Sequence, residues 1–248
     1  MNRINVNHMK APNITTIIII ICIIIIGLYA SGEVNYFSSK VISEKNITSP
    51  AIIIDKVGIS EKINNVSLSQ GVMLDEKSTN PTDSDIILFG HRTLQGSPFL
   101  RLNEIEKGDT VTLEWPGTGE INYTVTGKTI VDPTHHITSS ENRDHIFLVT
   151  CDPIGSTEHR LIIEGELSNT GELNDKVVSG NPHESYGYII SGIFLILGLI
   201  ISFLYPKDMR IYILATVLII SVLLFYFCFN PIPSEIIYDK IIILNGGI

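Results

Sequence analysis

Three cysteines occur in the chain, and two of them, Cys22 and Cys228, lie in long apolar runs where a cysteine is usually a small filler. Cys151 alone sits in ordinary soluble sequence. It closes the run Ile146-Phe147-Leu148-Val149-Thr150 and is followed by Asp152-Pro153. A run apolar on both faces reads as a central strand. Proline cannot continue a ladder, so the strand should stop near the cysteine. A thiol in that position is either a buried inert side chain or a nucleophile facing a cleft.

Two other residues stand at strand ends in the same way. His91 follows the apolar run Ile86-Ile87-Leu88-Phe89-Gly90 and precedes a polar loop. It is either a turn-capping surface histidine or a general acid with a pKa reachable near neutrality. Arg160 opens the run after the polar connection DPIGSTEH, nine residues beyond Cys151. It is either a solvated strand-end charge or a source of forked donors for a carbonyl or an oxyanion. Together the three supply a nucleophile, an acid and a fixed positive charge. Thr150 and Leu148 are candidate walls of a substrate pocket, although Thr150 could equally be the pleat partner of Cys151. His135, His136, His145 and His159 show no spacing typical of a structural zinc site, so no metal and no cofactor are expected.

The elements that must position these residues are short. Runs rich in β-branched residues, separated by turn residues, predict strands at 51–55, 86–89, 110–115, 121–126, 128–131, 145–150 and 160–167. Pro116-Gly117-Thr118-Gly119 reads as a hairpin connection. One short helix is expected around 97–103. Seven or eight strands with almost no helix predict a mainly β domain, closed as a barrel or folded as a sandwich.

Outside that domain the chain is a different kind of polymer. Residues 14–29, 186–205 and 211–229 are almost wholly apolar and carry no charge. A membrane span needs about 20 such residues, and about 17 suffices. The sequence therefore predicts an N-terminal cytoplasmic segment and anchor at 1–31, a linker at 32–50 and a catalytic domain at 51–167. A second linker at 168–185, two transmembrane helices at 186–229 and a tail at 230–248 complete it. A cleaved signal peptide is the rival reading of the first run, but its apolar core is long for one. Arg3 and Lys10 precede the first helix, and Lys207 and Arg210 lie between the second and third. By the positive-inside rule both sites are cytoplasmic, which puts residues 32–185 outside. That segment has 12 basic and 23 acidic residues, a poor match to nucleic acid. Exported domains usually pair their cysteines, so a solitary Cys151 there points to chemistry.

The combination resembles a known family. Leu148-Val149-Thr150-Cys151 is similar to the sortase L-x-T-C signature, and Arg160 falls where the sortase arginine is expected. Phe89-Gly90-His91-Arg92-Thr93, then Gly96-Ser97-Pro98-Phe99, Leu102 and Gly108-Asp109, look like the sortase histidine region, closest to the class D and class E pattern. The resemblance covers roughly residues 50 to 167. It implies an eight-stranded sortase-type β-barrel, to which the apolar runs of this chain add one N-terminal and two C-terminal transmembrane helices. It implies a transpeptidase that cleaves a C-terminal LPxTG-like sorting signal on secreted proteins. The acyl group would pass to an amine of the cell envelope or of another protein. Cys151 would be the nucleophile, His91 the general acid and Arg160 the substrate or oxyanion clamp. A hydrolase on the same residues, or an inactive envelope-binding domain, are the alternatives. The two C-terminal spans depart from the single anchor of most sortases, which leaves the sorting motif open.

Overall fold

The computed structural model describes residues 11–45, 48–93, 95–137, 144–233 and 236–237. Arg3, Lys10 and nearly all of the tail from 234 onward lie outside the described residues. The chain divides into two compact units, one of residues 40–184 and one of residues 1–39 with 185–248.

The first unit is a closed barrel of eight strands. They are β1 (Ala51–Ile54), β2 (Ile59–Asn64), β3 (Val72–Leu74), β4 (Ile86–Phe89), β5 (Thr110–Trp115), β6 (Gly119–Val131), β7 (His145–Asp152) and β8 (His159–Gly171). Around the barrel the order is β1-β2-β3-β4-β7-β8-β6-β5, and β5 pairs back onto β1. Closure removes the exposed strand edges that would otherwise pair with other chains. The interior is filled by the alternate residues that face inward, among them Ile86 and Leu88 of β4, Ile146 and Leu148 of β7, and Leu161 and Ile163 of β8.

Two pairings set the geometry of one barrel end. Strand β4 runs parallel to β7, with Ile87 beside Phe147 and Phe89 beside Val149. Strand β8 runs antiparallel to β7, with Cys151 opposite Arg160. The ends of β4 and β7 and the start of β8 therefore lie side by side.

Several expectations change in detail. The runs expected at 121–126 and 128–131 are one strand, β6, with a register irregularity at Val125/Gly127. Strands β2 and β3 were not anticipated. No helix forms over 97–103. Gln95 and Ser97 adopt positive φ angles of 50° and 44°, outside the helical region, and only a single 3₁₀ turn follows at Leu102–Glu104. The polar stretches flanking the barrel are also more ordered than linkers. Helix α1 (Ile14–Glu44) runs through most of the first stretch. Strand β8 extends to Gly171 and a short helix α2 (Asp175–Ser179) follows it. Buried charge ties both stretches to β2. Lys40 Nζ lies 2.8 Å from Glu61 Oε2, and His183 Nε2 lies 3.0 Å from Glu61 Oε1. Burial alone would push the Glu61 carboxyl up. The His183 hydrogen bond and the Lys40 charge outweigh it, and the group is held below the usual carboxylate range.

The second unit holds three helices long and apolar enough to cross a membrane, namely α1, α3 (Tyr186–Leu204) and α4 (Arg210–Phe229). Ile23, Ile213 and Val217 pack together at one level, and Val34, Leu224 and Cys228 at another. Glycines mark the close approaches. A Cβ at Gly198 would run into the Val217 side chain, and one at Gly27 would sit 2.7 Å from Ile220 Cγ2. Small residues at helix crossings let backbones approach closely in an apolar medium.

The barrel end beneath His91 is equally tight. Phe99 is fully buried, and its backbone N–H donates to the His91 carbonyl at 3.0 Å. A Cβ added at Gly90 would lie 2.5 Å from the Phe99 ring. Gly90→Ala is expected to destabilise the barrel by about 1–3 kcal/mol through overpacking. A thermal melt of the purified protein measures this, and an unchanged melting temperature would show that the ring can yield.

Candidate active site

Side chains alternate across a strand, so residues two apart share a face. On β7 the inward residues are Ile146 and Leu148, which leaves Phe147, Val149 and Cys151 on the outer face. On β4, Ile87 and Phe89 take the outer face, and His91 follows two residues beyond Phe89. On β8, Ile162 pairs with Val149 and Arg160 with Cys151, and directly opposed residues share a face. The pairing thus brings His91, Cys151 and Arg160 to neighbouring positions at one end of one outer face.

That face is apolar up to the point where the three residues stand. Ile87, Phe147, Val149 and Ile162 form a small cluster of their own, with Phe89, Val131 and Ile137 packed against it. Ile137 belongs to the connection between β6 and β7, so this segment lies over part of the strip. The remainder of the connection, 138–143, lies outside the described residues.

The β4–β7 contact continues past the last ladder position. The Gly90 N–H donates to the Val149 carbonyl at 3.2 Å, and the Thr150 hydroxyl donates to the Gly90 carbonyl at 2.7 Å. Thr150 is therefore buried on the inner side, where it fixes the backbone that leads into His91. Leu148 is fully buried in the barrel core. Neither of these candidate pocket residues reaches the face that carries Cys151. The β7 residues that share a face with Cys151 are their neighbours, Phe147 and Val149. The sequence signal for this was the strict alternation around Cys151, which required knowing which face turns inward.

Cys151 is half-buried and carries a free thiol. Arg160 Nη1 donates to the carbonyls of Thr157 and His159, each at 3.1 Å, so its guanidinium is braced by its own loop. Burial pushes the His91 imidazole below its ordinary pKa of 6.5, because an apolar surrounding disfavours the charged ring. Sequence reasoning missed a second pair beside these residues: Arg92 Nη1 bonds the carboxylate of Asp152. Among the described residues no group of three or more His, Cys, Asp or Glu side chains is placed to hold a metal ion. His145, one of the four histidines weighed for zinc, lies 2.8 Å from Asp144 Oδ1 and stacks on Phe147, at 6.1 Å between ring centroids.

The depressed pKa of His91 has a checkable sign. A folded protein that holds a histidine neutral binds fewer protons than its unfolded chain, so stability falls as pH drops from about 6.5 through the folded pKa. A histidine NMR titration of the detergent-solubilised protein is expected to place the His91 midpoint below 6.5. The acid-side loss of stability in that window should shrink in His91→Gln. A midpoint at or above 6.5 would contradict the burial of the ring.

The family model for the sortase domain matches residues 47–168. No curated protein matches the chain. Among solved structures it is similar to sortase C-1 from Actinomyces oris, with 24% identity, a TM-score of 0.44, and coverage of 53% of this chain and 80% of that one. It is similar to sortase A from Listeria monocytogenes, with 23% identity, a TM-score of 0.44, and coverage of 52% and 93%. It is also similar to Clostridium perfringens sortase C with the C-terminal cell wall sorting motif, with 20% identity, a TM-score of 0.45, and coverage of 57% and 88%. Residues 47–168 carry a sortase domain, folded as a closed eight-stranded barrel.

Proposed function

We propose that this protein is a membrane-anchored cysteine transpeptidase in which Cys151 is the nucleophile, His91 the proton carrier and Arg160 the clamp. One observation carries the reading. The parallel β4–β7 pairing and the antiparallel β7–β8 pairing set all three side chains at the end of one apolar strip. The family supplies the reaction class, since sortases are cysteine transpeptidases.

In this reading the strip formed by Phe147, Val149, Ile87 and Ile162 receives the apolar residues of an extended sorting peptide of LPxTG type. The thiolate of Cys151 attacks the scissile carbonyl and a thioacyl intermediate forms as the amine leaves. A neutral His91 beside the thiol takes its proton as the nucleophile forms and returns it to the leaving amine. Arg160 supplies fixed positive charge where the oxyanion develops. An amine of the envelope or of another protein then attacks the thioester and frees Cys151. In this reading the histidine region is of the class D and class E pattern.

Anchoring follows from the three apolar helices. In this reading Arg3, Lys10, Lys207 and Arg210 lie on the cytoplasmic side by the positive-inside rule, with the barrel on the outer side. A protease-accessible Lys207 turn in intact cells would overturn this orientation.

Cys151→Ala is expected to leave the fold intact and to reduce turnover of a sorting peptide by orders of magnitude. Product analysis by mass spectrometry, with and without an added amine, separates transpeptidation from hydrolysis. Near-normal turnover in the alanine variant would remove Cys151 as nucleophile. Arg160→Lys keeps the charge but replaces a planar fork with a point charge on a flexible stem. It is expected to preserve thiol reactivity and to lose roughly a hundredfold in turnover. Full turnover in Arg160→Lys would remove Arg160 from the catalytic set.

A further inference from the structure

The residues that follow His91 and Cys151 in the chain form an ion pair with each other. Arg92 Nη1 donates to Asp152 Oδ1, and the same nitrogen lies 3.3 Å from the Cys151 carbonyl oxygen. Arg92 Nε donates to the Leu100 carbonyl at 3.4 Å. The Arg92 side chain is only 4% exposed, against 20% for Asp152. A buried guanidinium is costly unless its donors are met. Here they are met by the end of β7 and by the segment that returns after Phe99. The arginine therefore joins the backbone that carries the thiol to the loop that carries the imidazole.

We propose that Arg92 and Asp152 are a positioning pair for the working residues, and that Arg92 also cancels the charge of the carboxylate that adjoins the thiol. The proposal rests on the reading of Cys151 and His91 given above and adds two residues to it. Neither member makes or breaks a bond in the reaction. The charge argument is simple. A carboxylate one residue from Cys151 disfavours the thiolate, and a cation favours it. With both present and paired, the two effects largely offset. The other charged or titratable groups nearby are Arg160 opposite Cys151, His159 opposite Asp152, Glu158 in the same loop, and His91 at the end of β4. None of these is altered in the test below.

The test uses the full-length protein in detergent and reads iodoacetamide alkylation of the Cys151 peptide by mass spectrometry across pH, alongside turnover of a sorting peptide. Arg92→Gln leaves the carboxylate uncompensated, and the alkylation midpoint is expected to rise by about one pH unit. Asp152→Asn leaves the cation uncompensated, and the midpoint is expected to fall by a similar amount. The double variant should return close to the parent. Arg92→Lys retains the charge without the two-directional reach of the guanidinium. Its midpoint should stay near the parent value while turnover falls roughly tenfold or more, because small displacements of reacting groups are costly. A purely structural role predicts no opposite shifts. Single variants that move the midpoint in the same direction, or not at all, overturn the charge role, and full turnover in Arg92→Lys overturns the positioning role. If Arg92→Gln does not fold, the near-isosteric Asp152→Asn decides by the sign of its shift alone. Alkylation reports on the thiol whatever its role, whereas retained turnover in Cys151→Ala would reject the nucleophile assignment, so the two failures are distinguishable.

Discussion

The parallel pairing of β4 with β7 is the constraint on which the site depends. Parallel neighbours end at the same side of a sheet, so the residue after β4 and the last residues of β7 must be close whatever loops surround them. Antiparallel β8 then returns from that same side, with its first residues opposite the last of β7. Three polar residues separated by up to 69 positions in the chain become neighbours through backbone hydrogen bonding alone. Strands β7 and β8 hold Cys151 and Arg160 with more precision than loops would.

The contacts just past the ladder extend this constraint. Thr150 donates to the Gly90 carbonyl, Gly90 leaves room for the Phe99 ring, and the Phe99 N–H returns to the His91 carbonyl. Each of these secures the backbone on one side of His91. Arg92 adds a charged tie between that loop and β7. The turn around the imidazole is thus held from the core, from the neighbouring strand and from its own loop. The same burial pushes the imidazole below its ordinary pKa.

The flanks of the barrel follow a different logic. Lys40, Glu61 and His183 bury charge at the barrel surface, and Lys62 Nζ donates to the carbonyl of Val177 at 2.9 Å. Buried charges persist only when paired, and removing one partner is far costlier than removing a surface pair. The chain on either side of the barrel is fastened by these contacts although its composition is that of a linker. In the helical unit the fastening is by shape, with glycines at the closest crossings.

The sequence by itself determined the three apolar helices, since length and lack of charge are local properties. It also determined most of the strands, because β-branched runs between turn residues are a local signal, and β4 and β5 have the boundaries expected of them. The motif residues Cys151, His91 and Arg160 were visible through their types and their places at strand ends. Tertiary structure decided the rest. Strand β2 carries Glu61 and Lys62 in buried positions, a pattern that reads as exposed until Lys40, His183 and the α2 carbonyls are seen beside it. Strand β3 is three residues long and exists through its pairing with β2 and β4. The face of β7 that turns inward could not be read from a run apolar on both sides, so Thr150 and Leu148 were candidates although Phe147 and Val149 are the residues that share a face with Cys151. The Arg92–Asp152 pair joins residues 60 apart, and no local pattern announces a contact that only barrel closure brings about.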